Sequence, residues 1–151
     1  MSSRSKRLAD AARGITPSQT ERRSKLELAA LGQEGDSKAV AFVALKYYRP
    51  EHQCLSEWTP DELKQFSSFC RKLSQMTWQQ IIETGGRHKT GVAWTPVHAH
   101  QLPNTDFLDS ISEDIHWIEL RVTQEARVFG FRAGQAFFLV FLDRTHDIIP
   151  E

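Results

Sequence analysis

The feature that most constrains this chain is its closing stretch, where three strand-like segments are joined by very short connections. The segments span residues 116–123, 126–132 and 136–143, and they are rich in β-branched and aromatic residues. Gly134-Gln135 suits a two-residue hairpin turn with glycine in first place. Strands connected this closely pair in antiparallel order. The sequence therefore predicts a C-terminal three-strand antiparallel meander.

The segments before the meander predict one more strand and two or three helices. Residues 39–48 are rich in apolar and aromatic residues and are followed by Arg49-Pro50, which favours a strand. Thr59 and Glu62 form a capping box ahead of an apolar stripe that is typical of a helix over about 60–75. Thr77 with Gln80 begins a second, shorter helix. The expected class is α+β, with a small antiparallel sheet packed against helices.

The chain divides into a basic leader and one domain. Residues 1–25 hold seven basic side chains against two acidic ones, a balance of +5, although the whole chain is formally neutral. We expect a flexible leader over 1–35 with a helix near 19–31, and a single α+β domain over 36–151 with an inserted loop near 84–104. The leader suits a nucleic-acid-binding arm or an idle solvated segment equally well.

Composition excludes several classes of protein. With 40% hydrophobic and 25% charged residues the chain is typical of a globular protein, and its longest apolar run falls short of the ~18 residues of a membrane span. No apolar stretch of the kind found in secretory signals follows the basic start, so a cytoplasmic protein with no membrane partner is expected. The stretch "GGRHKTG" lacks the spacing of a phosphate loop, and His98 and His100 lack diagnostic zinc partners. We predict no cofactor and no metal.

Arginines punctuate the meander, and their placement depends on the strand register. If Gln124-Glu125 is a two-residue loop, Arg121 and Arg132 share one face of the sheet and Arg127 closes the end of the other. Each arginine alone can pack its stem on apolar neighbours and pair with a carboxylate such as Glu119. Several guanidinium groups gathered together would repel one another unless an anion lay between them.

The C-terminal run resembles the closing strands of the RelE/HigB/ParE toxin superfamily. The matching features are Leu120-Arg121, Arg127-Val128, the apolar strand 136–142, and Arg144 with His146. The order of elements agrees over residues 39–151, but the motifs cover only about thirty residues, and the leader and the 84–104 insertion depart from the family pattern. The resemblance implies a toxin that cuts mRNA on the ribosome, or a gyrase-directed toxin of the ParE type, in either case with a protein antitoxin as partner.

The resemblance also assigns roles to individual residues. RNA cleavage of this kind needs an acid or base, for which His146 is the best candidate, and cations that stabilise charge on the phosphate. Against this, His146 can simply cap the last strand or lie exposed. The charge-stabilising candidates are Arg121, Arg127 and Arg144. The RNA-positioning candidates, for which a solvated surface role is the alternative, are Lys46, Arg49, Arg132, His88 and Lys89, with Trp94 and Trp117 as stacking platforms.

A non-catalytic binding module is the competing interpretation. The last strand, "AFFLVF", is apolar on both faces and requires cover on both sides. That cover can come from the helices, the inserted loop, a second copy in a homodimer, or a partner protein. If both faces are closed within one chain, the sheet cannot serve as an RNA groove, and any active site must lie at the sheet edge near Arg127 and His146.

Overall fold

A computed structural model describes residues 36–111 and 113–150 of the chain. The expected α+β class is confirmed: a five-stranded sheet carries three helices. The predicted leader and its helix near 19–31 lie outside the described residues. The strands are β1 (Phe42–Ala44), β2 (Thr95–Val97), β3 (Trp117–Arg121), β4 (Arg127–Ala133) and β5 (Ala136–Asp143), and the helices are α1 (Pro60–Leu73), α2 (Trp78–Glu83) and α3 (Asp106–Ser110).

The strand order in the sheet is β1-β5-β4-β3-β2. The C-terminal meander is confirmed, because β3, β4 and β5 pair antiparallel in sequence order. β1 joins β5 in parallel, so the sheet is mixed rather than wholly antiparallel as expected. A long crossover through α1 and α2 separates β1 from the meander, and such a crossover permits parallel pairing. β2, from the inserted loop, adds the opposite edge.

The first strand is much shorter than the predicted 39–48. Upstream of β1, Ala39 and Ala41 exchange backbone hydrogen bonds with Trp78 and Met76 instead of with β5. Downstream, the Tyr48 N–H donates to the Leu45 carbonyl and turns the chain. The backbone of residues 39–48 thus bonds to three partners: the start of α2 with the residues before it, β5, and a turn within the segment itself.

Local sequence signals set the helix starts as predicted. The Thr59 hydroxyl accepts from the Glu62 backbone N–H, and the Glu62 carboxylate accepts in return, which completes a capping box with proline in the first turn. Thr77 and Gln80 make the same exchange at the start of α2. The α1 stripe buries Phe69 and Leu73 against the sheet.

Both faces of the sheet are covered by apolar clusters of this chain. α1 and α2 close one face over Leu120, Val128 and Leu139. Tyr47, Phe107 of α3 and the residues around it close the other face. All eight residues of β5 are buried. An open RNA groove across either face is thus excluded in the described part of the chain.

The β3–β4 register differs by one position from the prediction. The connection runs over Val122–Ala126 rather than Gln124-Glu125, because the Thr123 hydroxyl accepts the N–H groups of Glu125 and Ala126 and closes a wider turn. Arg121 consequently faces Arg127, and Leu120 faces Val128. The Gly134-Gln135 turn is confirmed, with Gly134 at φ +61°. Among the described residues no helix has the length and apolar character to cross a bilayer.

Candidate functional site

The observed β3–β4 register places the buried carboxylate of Glu119 among polar residues near one end of the sheet. Glu119 lies in β3 and retains only 8% of its exposure. Its Oε1 is 3.3 Å from Nε of Arg127 and 3.4 Å from Nε2 of His146. We call Glu119, Arg127 and His146 the acid–base cluster. Arg127 belongs to the same face as Glu119, which corrects its predicted placement on the opposite face.

Arg127 is fixed by the turn that follows β3 as well as by the carboxylate. Its Nη1 donates to the carbonyl oxygens of Thr123, Gln124 and Ala126 at 2.9, 3.1 and 3.2 Å. Arg127 as a whole is 8% exposed. Because Nη1 is bound by these carbonyl groups, the guanidinium is oriented with Nε directed at Glu119.

His146 is placed by a turn after β5. The two carboxylate oxygens of Asp143 accept the backbone N–H groups of Asp147 and Ile148 at 2.8 and 2.9 Å. This turn holds His146 at φ +61°, a left-handed conformation that is costly for residues other than glycine. The imidazole is directed back over the sheet, where its side chain is 16% exposed.

The electrostatics of the cluster perturb Glu119. Burial raises the pKa of the Glu119 carboxyl above its usual value, the positive charges of His146, Arg127 and Lys89 oppose that rise, and the charge of Asp143 adds to it. A carboxyl group with a raised pKa is a stronger base than a solvated one. Asp143, whose charge acts on Glu119, borders a cleft of about 320 Å³ together with Asp147, the sequence neighbour of His146. The three residues of the cluster do not line this cleft themselves.

Two of the four predicted catalytic residues lie elsewhere. Nε and Nη2 of Arg121 donate to the Gly91 carbonyl, at 3.3 and 3.1 Å, on the α1 side of the sheet end. Nε of Arg144 donates to both oxygens of Glu62 at the start of α1, at 2.7 and 2.9 Å. Of the three arginines, Arg127 therefore contacts the same carboxylate as His146, whereas Arg121 and Arg144 have other partners.

The five predicted RNA-positioning residues are dispersed. Cζ of Arg49 lies 4.5 Å from the ring centroid of Phe107, and Cζ of Arg132 lies 4.6 Å from the ring centroid of Trp78. Such ring contacts fit the packing role that was the alternative for each arginine. Lys46, His88 and Lys89 are exposed, and the charge of Lys89 reaches Glu119.

The two aromatic stacking candidates differ in their access to solvent. Trp117 is 3% exposed and packs among Phe107, Phe131 and Phe141, so it cannot stack on a base. Trp94 is half-buried.

Sequence reasoning missed the central role of Glu119, which it treated only as a pairing partner, and that of Asp143. The available signal was an acidic residue inside each of two apolar strands, because a carboxylate in such a position needs partners. His98 and His100 stack on each other with ring centroids 5.4 Å apart. No group of three or more potential metal ligands occurs within 36–111 and 113–150.

Comparison with protein-family models, with curated proteins and with solved structures finds no match for this chain. Functional inference must therefore start from the geometry of the acid–base cluster and of the surfaces around it.

Proposed function

We propose that this domain is a toxin-like endoribonuclease that cleaves RNA at the acid–base cluster without the help of a metal ion. The observation that supports the proposal is the contact of Arg127 and His146 with one carboxylate oxygen of Glu119. In-line attack by a ribose hydroxyl needs a base, an acid and a group that stabilises charge on the phosphorus, and a carboxylate, an imidazole and a guanidinium can supply these three roles.

The chemistry follows from the nature of each group. Glu119, whose pKa burial raises, takes the proton of the 2′-hydroxyl as its oxygen attacks the adjacent phosphorus. Arg127 stabilises the additional negative charge on the phosphorane. His146 gives its proton to the departing 5′-oxygen. The products are a 2′,3′-cyclic phosphate and a free 5′-hydroxyl, with one proton transferred to Glu119 and one lost from His146.

A cleavage assay with matched variants tests the proposal. Labelled mRNA is incubated with the purified protein, with and without ribosomes, and the new ends are mapped. We expect cyclic phosphate ends from the wild-type protein, a loss of at least a hundredfold in rate for His146→Ala and Glu119→Gln, and wild-type cleavage for the exposed control Arg71→Gln. A 2′-deoxy substitution at the cleaved position must block the reaction. Unchanged cleavage by His146→Ala, or cleavage of the deoxy substrate, would exclude this mechanism.

The biological role is tested by expression in a bacterium. A toxin of a toxin–antitoxin pair arrests growth when it is made alone, and His146→Ala relieves the arrest if RNA cleavage is the cause. Recovery of growth on co-expression of a cognate antitoxin would support the pair. Growth arrest that persists in His146→Ala, with gyrase inhibited, would instead support a ParE-type target.

A second candidate is a non-catalytic binding module, and the exposed edge of the sheet favours it. Around β1 the side chains of Val40, Phe42 and Leu45 are 44, 48 and 49% exposed. Edge strands with apolar side chains are sites of strand addition by partner proteins. This module would bind its partner equally well after His146→Ala and lose binding after Phe42→Lys. The nuclease would instead lose RNA cleavage after His146→Ala and keep it after Phe42→Lys.

A further inference from the structure

A second polar region lies between α1 and the end of β3, away from the acid–base cluster. It is a cleft of about 290 Å³, close to the lower limit for small-molecule sites. Lys64, Ser68 and Lys72 recur every fourth residue along α1 and therefore form one ridge of the helix. Arg121 and Gly91 supply the opposite wall. We call this space the basic cleft.

Gly91 lies close to two cations of the basic cleft, Arg121 and Lys72. Its carbonyl accepts two hydrogen bonds from the Arg121 guanidinium, at 3.3 and 3.1 Å. A Cβ built on the same residue would lie 3.6 Å from Nζ of Lys72. Gly91 has φ +50°, a conformation that favours glycine, and a side chain there would press on Cγ2 of Thr84, at 3.3 Å, and contact Lys72.

The charges of the basic cleft are not balanced by acidic neighbours. None of the described residues that line it is an aspartate or glutamate. Neither Lys64 nor Lys72 forms an ion pair with any residue in the described part of the chain. An ammonium and a guanidinium held near one glycine repel each other, and an anion between them removes that repulsion. Gln65 and Ser68 add neutral hydrogen-bonding groups to the lining.

We propose that the basic cleft binds a phosphate group of an RNA strand, with Arg121 as the oriented fork and Lys64 and Lys72 as point charges. Phosphates are also present in free nucleotides, but the ridge of Lys64 and Lys72 extends over two turns of α1, a length that suits successive phosphates of a strand better than one. The choice of RNA rests on the proposed nuclease function, whereas phosphate binding itself does not.

Binding of a strand that cannot be cleaved separates this inference from the reaction. The probe is a fluorescent single-stranded 2′-O-methyl RNA of about twelve nucleotides, which has no free 2′-hydroxyl to attack phosphorus. Its affinity for the full chain is measured by anisotropy across a salt series. The variants are Lys64→Gln and Lys72→Gln, with Arg71→Gln as the control, because Arg71 neighbours Lys72, carries the same charge, is exposed and does not line the cleft.

We expect Lys64→Gln and Lys72→Gln each to weaken binding by roughly three- to tenfold at low salt and to reduce the slope of log affinity against log salt by about 0.7. Arg71→Gln should do neither. Equal losses in all three variants would show diffuse attraction and overturn the proposal. Binding of adenosine monophosphate as tight as that of the strand, with the same dependence on Lys72, would overturn the choice of a strand. If the strand binds through the basic cleft but the protein cleaves no RNA, the phosphate-binding proposal stands and the proposed nuclease function is rejected.

Discussion

Replacing Arg127 with methionine tests the central ion pair, because methionine keeps the unbranched apolar stem and removes only the guanidinium. The side chains of Arg127 and Glu119 are 10% and 11% exposed, so the change leaves a nearly buried carboxylate without its guanidinium partner. Removal of one partner of a buried ion pair costs about 3–5 kcal/mol. Here the lower end applies, since His146 still contacts the carboxylate and Glu119 can take up a proton. We therefore expect a loss of about 3 kcal/mol in unfolding free energy.

Urea unfolding followed by tryptophan fluorescence measures this loss, and a thermal scan should show a fall of roughly 6–12 °C in Tm for a chain of this size. The variants Glu119→Gln and Glu119→Gln with Arg127→Met complete a double-mutant cycle. Glu119→Gln alone should change stability by less than about 1 kcal/mol, because burial disfavours the charged carboxylate and the Arg127 guanidinium keeps its three carbonyl acceptors. In the Arg127→Met background it should restore stability. Exposed Arg87→Met is the control, expected within about 0.5 kcal/mol. A double variant that is less stable than Arg127→Met would refute the reasoning.

Three further predictions concern pH and packing. Removal of the Arg127 charge should raise the already raised pKa of Glu119 further, and a folded protein with such a carboxyl group loses stability as pH rises. The stability deficit of Arg127→Met should therefore shrink between pH 7 and pH 5 in urea titrations. A larger deficit at pH 5 would contradict the assigned shift. Trp78→Phe removes an indole N–H that donates to the Gln135 carbonyl at 2.9 Å and should cost about 2 kcal/mol by chemical unfolding; no loss would show that the bond is dispensable. Gly130→Ala should prevent stable folding, as seen by circular dichroism, because a Cβ there would overlap the backbone of β5; a normal melting curve would contradict this packing.

Local sequence signals predicted the elements of this fold well. The capping boxes at Thr59 and Thr77 and the turn at Gly134 depend on residues close in sequence, and the structure confirms all three. Such signals act within one turn of chain, so they can be detected from a single sequence.

The strand register was not predictable in the same way. It depended on the Thr123 hydroxyl, which widened a turn, and on a bulge between Phe129 and Gly130 that inserts Val140 into the β5 side of the pairing. A shift of one residue exchanges the faces of a strand, and this moved Arg127 to the carboxylate of Glu119. The partners of Arg121 and Arg144 lie in distant segments and depend on tertiary packing, which no local pattern encodes.

The parallel pairing of β1 with β5 has a consequence for synthesis of the protein. Phe42 pairs with Ala136, so β1 emerges from the ribosome long before its partner, and β5, which lies between β1 and β4, is the last strand to be made. Contacts so far apart in sequence slow folding. Until β5 is complete, the apolar surfaces of α1 and β4 lack the β5 side chains that share their cluster, such as Phe137 and Leu139, and the nascent domain is exposed to aggregation or to chaperone binding. Assembly of the acid–base cluster must wait for the same event, because His146 follows β5, so the cleavage proposed for this cluster cannot begin before the sheet has closed.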